Sequence, residues 1–168
     1  MIHITYLENY ESINQEIFSC MKDITFKPQH ESAGHLIYSD TVLGIDGKKM
    51  SNIIIDKNLK LLENAILSSF KEKLAIIQSW LLKTEPGGYC TDHHHGEIYS
   101  GVYYVDAKKN QGAMRFTDIQ TKETIDIEPR TGNIIFFRQI GPKPLMHRVL
   151  KNNSDTSRIS LSFDLVLK

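Results

Sequence analysis

A β-type pattern begins at Leu74-Ala75-Ile76-Ile77-Gln78-Ser79-Trp80-Leu81-Leu82, because from here on apolar residues recur with a period of two. Turn residues then recur about every ten positions, which is typical of an all-β sandwich or barrel. The pattern predicts eight short strands. They lie at 74–84, 89–95, 99–106, 112–118, 122–128, 133–138, 145–151 and 157–167.

The residues before this point are predicted to be mainly helical. Residues 9–22 and 58–73 carry apolar side chains at spacings of three and four, the pattern of an amphipathic helix. The segment between them is ambiguous: it has β-rich pieces at 35–38 and 52–55 and a turn signal at 44–47. Two helices before eight strands predict a mainly β protein with flanking α, a jelly-roll-like barrel whose N-terminal helices pack on one sheet.

The length and charge of the chain limit its organisation and its partners. The 168 residues fit a single domain, 1–168, in which 1–73 supply N-terminal helices and extra strands and 74–168 supply the barrel core. Lys and Arg number 20 and Asp and Glu also number 20, so the net charge is zero. This balance favours a small molecule or a protein side chain over nucleic acid as the substrate. The oligomeric state is left open.

The cysteine content and the start of the chain bear on the compartment. Cys20 and Cys90 lie far apart in no metal-binding spacing, which favours a reducing environment. Residues 1–8 lack the basic region and the long apolar stretch of a signal peptide, and no apolar run reaches the length of a membrane span. We therefore expect a cytoplasmic protein with no membrane partner.

The densest chemical signal is Tyr89-Cys90-Thr91-Asp92-His93-His94-His95-Gly96-Glu97. On a strand, His93 and His95 face one way and His94 faces the other. Two imidazoles about 7 Å apart on one strand face can bind one metal if a neighbouring strand supplies a third ligand. Iron, zinc or copper would suit such ligands, and Glu97 on the same face offers a carboxylate.

Two later strands complete the candidate site. His147 is the polar residue on a face otherwise formed by Leu145 and Val149, so it is a candidate third ligand. In residues 157–164, Ile159, Leu161 and Phe163 alternate with Arg158, Ser160 and Ser162. If the apolar face of this strand packs under the helices, its polar face lines the barrel, where a guanidinium can hold a carboxylate ligand. Tyr103 and Tyr104 add hydroxyl groups to the same region.

Several of these motifs, in this order, resemble the Fe(II)/2-oxoglutarate-dependent dioxygenases, and the resemblance covers residues about 74–168. Residues 87–95 followed by 100–105 look like the HxD or HxH strand and its successor in bacterial and phage oxygenases and prolyl-hydroxylase-like enzymes. The segment 112–116 is similar to the family's small-residue strand, and 125–137 is similar to the segment that leads to its distal histidine. Residues 158–163 resemble its RxS strand.

The resemblance implies a double-stranded β-helix of eight strands, with Fe(II), 2-oxoglutarate and O2 as cofactor and cosubstrates. It implies a hydroxylation in which 2-oxoglutarate is converted to succinate and CO2. By residue, it matches His93 to the first metal ligand and His147 to the distal one. Arg158 is matched to the residue that anchors 2-oxoglutarate, with Ser160 and Tyr104 as its supports.

The second metal ligand departs from the family pattern, which has Asp or Glu two residues after the first histidine. This chain has His95 there. An all-histidine site, a site shifted so that His95 and Glu97 form HxE, and a contribution from Asp92 are the three alternatives. Strand parity disfavours Asp92, and the interval from Gly87 to His93 matches the family, so we favour His93 and His95 and keep Glu97 as the alternative ligand.

Two other functions compete with this interpretation. A cupin-like dioxygenase or isomerase that needs no 2-oxoglutarate would suit an all-histidine ligand set, whereas the Arg158 and Ser160 face argues against it. A ligand-binding β-barrel without enzymatic activity would make the histidines incidental. The primary substrate is beyond the sequence, because loops and residues 27–56 would contact it and carry no motif of their own.

Overall fold

A curled antiparallel sheet dominates the structure, a computed structural model that describes residues 2–22, 26–28, 32–38, 52–139 and 145–168. The predicted turn at 44–47 lies outside the described residues. In chain order the elements are β1 (Ile2–Tyr6), α1 (Tyr10–Met21), β2 (Lys27–Pro28), β3 (Ser32–Tyr38), α2 (Ile53–Asp56), α3 (Lys60–Ser68), β4 (Leu74–His93), β5 (Tyr99–Asp106), β6 (Met114–Asp118), β7 (Thr124–Ile127), β8 (Asn133–Arg138), β9 (Leu145–Val149) and β10 (Arg158–Leu167).

Eight of the strands follow one another in the order β1-β8-β5-β10-β4-β9-β6-β7, and β3 adds to β4 and pairs with β2. Seven of the eight come from the predicted strand region. The eighth, β1, was not predicted; it pairs with β8 from Ile2 opposite Phe137 to Tyr6 opposite Asn133. The mainly β architecture is therefore as predicted, but the set of strands that form the sheet differs from the predicted set.

The first two predicted strands, 74–84 and 89–95, are in fact one strand. β4 continues through Pro86-Gly87-Gly88, which was predicted to be a turn, and ends at His93. Its first half pairs with β10 and its second half pairs with β9, at Cys90 and His93. Gly87 has φ of +79°, a conformation that glycine adopts without strain. The Pro-Gly-Gly segment thus redirects the strand to a new partner and does not end it.

The strands alternate between two apolar layers. Tyr103 and Val105 of β5 pack with the helices, whereas Val102 and Tyr104 of the same strand face the interior of the barrel. The helix layer includes Ile13 and Ile17 of α1, Leu62 and Ile66 of α3, and Leu161 and Phe163 of β10. The prediction that helices cover one sheet, over the apolar face of the last strand, is confirmed.

Residues 52–55 were predicted to be β-rich, and this is wrong, because Ile53–Asp56 forms the short helix α2. Asn52 and Ser79 hold its start against β4. The Ser79 hydroxyl donates to Asn52 Oδ1 (2.8 Å) and accepts from the Ile54 amide (2.9 Å). Ile53 and Ile54 are buried while Ile55 is 46% exposed. Tertiary anchoring and burial therefore override the strand preference of three consecutive isoleucines.

The predicted helices 9–22 and 58–73 are observed as α1 and the shorter α3. In the described part of the chain, no helix has both the length and the apolar composition needed to cross a membrane.

Candidate metal and 2-oxoglutarate site

Three of the predicted ligands meet at one end of the barrel interior. His93 ends β4 and lies directly opposite His147 of β9 in the antiparallel register, and His95 follows two residues after β4 ends. One ring nitrogen from each histidine lies within 4.8 Å of the other two. Nitrogens that bind one metal at about 2.1 Å lie within about 4.2 Å of one another, so the cluster is already close to ligating geometry.

Hydrogen bonds determine which ring nitrogen of His93 and of His95 is available to a metal. Nδ1 of His93 donates to the carbonyl oxygen of Thr91 (2.8 Å), and Nδ1 of His95 lies 3.0 Å from a carboxylate oxygen of Asp164. The Thr91 carbonyl oxygen and an ionised Asp164 carboxylate can only accept, so these contacts call for the proton on Nδ1 in both rings and leave the lone pair on Nε2. His147 is buried, and its Nδ1 has no hydrogen-bond partner among the described residues.

The electrostatics of the cluster favour uncharged rings at His93 and His147. Burial lowers the pKa of His93. Burial and then the neighbouring histidines lower the pKa of His147 well below its ordinary value. Neutral imidazole is the form that binds a metal, so these lowered pKa values favour binding of a metal cation.

His95 is held from two sides although it lies outside a strand. The ring of Trp80 stacks on it, with centroids 5.8 Å apart and an interplanar angle of 16°. Asp164 contacts its Nδ1 on the ring edge. Trp80 and Asp164 belong to the neighbouring strands β4 and β10, which are hydrogen-bonded to each other. The sheet therefore fixes a ligand that a loop carries.

Arg158, the first residue of β10, is buried on the same strand face as Asp164. Its Nη1 donates to the carbonyl oxygens of Gln111 (3.2 Å) and Gly112 (2.6 Å), and its Nη2 donates to Thr84 Oγ1 (3.1 Å). The guanidinium carbon lies 5.5 Å from the ring centroid of Tyr104. In the described ranges, no carboxylate lies within ion-pair distance of this cation.

Two polar groups at this end of the barrel have no hydrogen-bond partner among the described residues. They are Nε of Arg158 and Oγ of Ser160. Both are buried. Buried donors are normally satisfied, and an unpaired buried cation is costly. A bound carboxylate would satisfy the two donors and the charge together, so this end of the barrel has the chemistry of an anion site.

Strand register brings these groups onto one surface. Ser160 lies opposite Leu82 of β4 and Tyr104 of β5. Asp164 likewise lies opposite Gln78 and Ser100. Since every second residue of a strand faces the same way, the anion site and the histidine cluster share one barrel interior.

The other predicted candidates have different surroundings. Glu97 offers a ligand atom within 4.8 Å of those of His95 and Asp164, in a second group that contains neither His93 nor His147. Asp92 lies 3.7 Å from Arg148 and is half exposed. His94 is exposed, as strand parity predicted. Within the described ranges, Asp92 therefore belongs to neither group, whereas His95 and Glu97, the pair of the shifted HxE site, come together with Asp164 and not with His93 or His147.

The sequence matches no protein-family model and no curated protein, but solved structures resemble it closely in shape. A 2OG-Fe(II) oxygenase family oxidoreductase from Burkholderia pseudomallei aligns with a TM-score of 0.70 and 11% identity, over 98% of this chain and 84% of its own. A prolyl-4-hydroxylase from Pseudomonas putida aligns with a TM-score of 0.60 and 14% identity, over 99% and 92%. HygX from Streptomyces hygroscopicus, solved with nickel and 2-oxoglutarate bound, gives 0.69 and 8%, over 99% and 83%.

The chain has the fold of the 2OG-Fe(II) oxygenases. The double-stranded β-helix that the resemblance implied is therefore confirmed. At these identities the likeness concerns the backbone alone, so the roles of individual side chains depend on the geometry described above.

Sequence reasoning missed two residues that shape the site, Asp164 and Trp80. The signal for Asp164 was present, because it continues the polar face of Arg158, Ser160 and Ser162 by one more alternation. Trp80 carried no chemical signal in the sequence. Its stacking on His95 depends on where the loop after β4 returns to the sheet.

Proposed function

We propose that this protein is an Fe(II)- and 2-oxoglutarate-dependent dioxygenase that hydroxylates its substrate and converts 2-oxoglutarate to succinate and CO2. One observation carries the proposal. The same barrel interior holds a cluster of three imidazoles at one end and a buried guanidinium without a carboxylate partner, among the described residues, at the other. The fold of the 2OG-Fe(II) oxygenases supports it.

We assign His93, His95 and His147 as the residues that would hold Fe(II). Three protein ligands leave positions open for other molecules. When bound, Fe(II) with 2-oxoglutarate supplies the activation of O2 that hydroxylation of a C–H bond requires. Two Nδ1 contacts orient the rings of His93 and His95, so little reorganisation of these side chains is needed to receive the metal.

Arg158, Ser160 and Tyr104 would bind the cosubstrate. The guanidinium offers its unpartnered Nε–H to a carboxylate, and the Ser160 hydroxyl offers a second donor. The ring of Tyr104 packs against the guanidinium and limits its movement. Because Gln111 and Gly112 already hold Nη1, the arginine is fixed in place before a ligand arrives.

The barrel wall would keep water from the reacting groups. Phe137 packs edge-on against His147, with centroids 4.8 Å apart, and Phe116 packs against both rings. All three side chains are buried. Apolar cover of this kind strengthens charge interactions within the site. We expect a small molecule or a protein side chain as the substrate, since the net charge of zero provides no general attraction for nucleic acid.

A cupin-like metal-dependent dioxygenase or isomerase that does not use 2-oxoglutarate is the second candidate. The all-imidazole ligand set favours it. The buried and unpaired Arg158 argues against it, because that enzyme would have no need for a buried cation in the barrel.

Anaerobic reconstitution with Fe(II), followed by titration with 2-oxoglutarate, tests the proposal. We expect the weak visible absorption band of an iron–keto-acid chelate in the wild type. The band should be lost in Arg158→Met and kept in Arg148→Met, a matched control on β9 whose arginine is partly exposed. Iron binding without a chelate band would favour the cupin-like enzyme, and failure to bind any metal would contradict both enzyme functions.

A further inference from the structure

Asp164 is a fully buried carboxylate with no lysine or arginine against it in the described part of the chain. It accepts hydrogen bonds from Gln78 Nε2 and Ser100 Oγ, one on each oxygen. Its third partner is Nδ1 of His95, at 3.1 Å and 3.0 Å from the two oxygens. A buried anion is costly unless it is paired with a positive charge as well as hydrogen-bonded.

The position of this carboxylate is set by the sheet. Gln78 of β4 and Ser100 of β5 are the cross-strand partners of Asp164 on its two sides. The two donors and the acceptor thus lie in one row across three adjacent strands. A side chain held in this way has little freedom to turn elsewhere, and it points its remaining acceptor capacity at His95.

We propose that Asp164 is a positioning residue of the metal centre. It fixes His95 with Nδ1 protonated and Nε2 directed at the metal, and it supplies, one hydrogen bond away, the negative charge that an all-histidine ligand set lacks. A metal on His95 would in turn supply the positive charge that Asp164 lacks. The proposal rests on the metal site proposed above and adds to it a role for a carboxylate outside the ligand set.

The competing role is that of a direct ligand, because His95, Glu97 and Asp164 also have ligand atoms within 4.8 Å of one another. The hydrogen bonds favour the positioning role. Each Asp164 oxygen already accepts a hydrogen bond from a side-chain donor. The carboxylate contacts His95 at Nδ1, which leaves Nε2 of that ring for the metal. The carboxylate–histidine–metal arrangement is the usual way in which an outer carboxylate orients a ligand.

Metal affinity is the first test, with Co(II) as the probe and direct titration of the metal-free protein as the measurement. We expect Asp164→Asn to weaken Co(II) binding by about 10- to 100-fold, the range for loss of an outer-shell carboxylate. Asp92→Asn, the same chemical change at an aspartate outside both groups, should leave the affinity unchanged. Equal affinities for Asp164→Asn and the wild type would overturn the proposal.

Two further variants separate the two roles of the carboxylate. If Asp164 and Glu97 were ligands with His95, then Glu97→Gln would lose Co(II) and His147→Ala would keep it. That outcome also overturns the proposal. We expect the reverse pattern, in which His147→Ala loses the metal and Glu97→Gln retains it.

The second test needs neither metal nor a substitution in the buried network. Nitrogen-15 NMR of the metal-free wild type, in mildly alkaline buffer, should show the His95 ring with its proton on Nδ1. A ring protonated on Nε2, or an even mixture, would show that Asp164 does not hold His95. If the wild type bound no metal while the NMR result stood, the proposed enzyme function would fail and the Asp164–His95 contact would not.

Discussion

Arg158 is the first residue of β10 and Asp164 lies further along the same face of that strand, and both are buried. Neither has a charged Lys, Arg, Asp or Glu partner within ion-pair distance in the described ranges. One strand face therefore presents a buried carboxyl group beside the histidines and a buried guanidinium at the start of the strand. A bound metal and a bound dicarboxylate would compensate the two charges.

Metal binding should lower the fluorescence of Trp80, the single tryptophan of the chain. Its indole stacks on His95, a proposed metal ligand, with ring centroids 5.8 Å apart. An ion with a partly filled d shell bound to His95 would therefore lie near enough to quench the indole. We expect Fe(II) or Co(II) to quench the wild type and His94→Ala, whose histidine is exposed. His93→Ala and His147→Ala should give no quench, and an undiminished quench in both variants would place the metal elsewhere.

Removing the guanidinium should weaken cosubstrate binding without removing the metal. We expect Arg158→Met to weaken 2-oxoglutarate binding by about 2 to 5 kcal/mol, because a carboxylate would be left buried and unpaired. Calorimetric titration of the metal-loaded protein measures the change, with thermal unfolding as the check on folding. Arg148→Met should bind 2-oxoglutarate as the wild type does. Retained binding in Arg158→Met would show that this arginine is not the anchor.

Ser160→Ala should separate ligand binding from stability. The Ser160 hydroxyl is buried and has no hydrogen-bond partner among the described residues, so its loss should leave the free energy of unfolding unchanged or slightly higher. Binding of 2-oxoglutarate should weaken by about 0.5 to 1.5 kcal/mol, the net value of one hydrogen bond. Urea unfolding and calorimetry measure the two effects. A clear loss of stability would indicate that the hydroxyl has a structural partner.

Gly101→Ala should destabilise the fold at the contact between the sheet and the helix layer. A Cβ at this position would overlap the ring of Phe163, which is buried in that layer, and lie 2.9 Å from the carbonyl oxygen of Ile135. We expect a loss of about 1 to 3 kcal/mol in the free energy of unfolding, typical of overpacking. Gly96→Ala, where a Cβ would meet nothing within 4 Å, is the control and should change stability little. Equal stabilities would contradict the packing described here.

Asn14→Ala should weaken the attachment of α1 to the sheet. Asn14 Nδ2 donates to the carbonyl oxygen of Val105 (2.7 Å), and Oδ1 accepts from the Tyr103 hydroxyl (2.7 Å). Their loss leaves buried polar groups poorly satisfied, at a cost of about 1 to 3 kcal/mol in urea unfolding. Gln15→Ala, at an exposed position of the same helix, should cost little. Because Asn14 lies in the helix layer, its substitution should not change the Co(II) affinity. A large change in that affinity would show that the helix layer and the metal cluster are coupled.

Local pattern was enough to predict most of the architecture. Alternation of apolar residues marked the strands, and spacings of three and four marked α1 and α3, since burial on one side imposes these periods directly on the sequence. The same alternation placed His93 and His95 on one side of their strand and His94 on the other, and it put Arg158 and Ser160 on one face of β10. The family resemblance then supplied the expectation of a double-stranded β-helix.

Where pattern failed, long-range contacts had overridden a local preference. Pro86-Gly87-Gly88 has the composition of a turn, but pairing with β10 before it and with β9 after it keeps β4 continuous. Residues 52–55 have the composition of a strand, but Asn52 and Ser79 hold them as a helix.

The sequence by itself determined which residue types face the barrel interior, because every second side chain of a strand points to the same face whatever the neighbouring strands are. Only the tertiary structure decided which of those residues meet. His95 and Asp164 are distant in sequence, and their contact depends on β4, β5 and β10 lying side by side in one register. No local periodicity encodes such a register, since it results from the packing of the whole sheet.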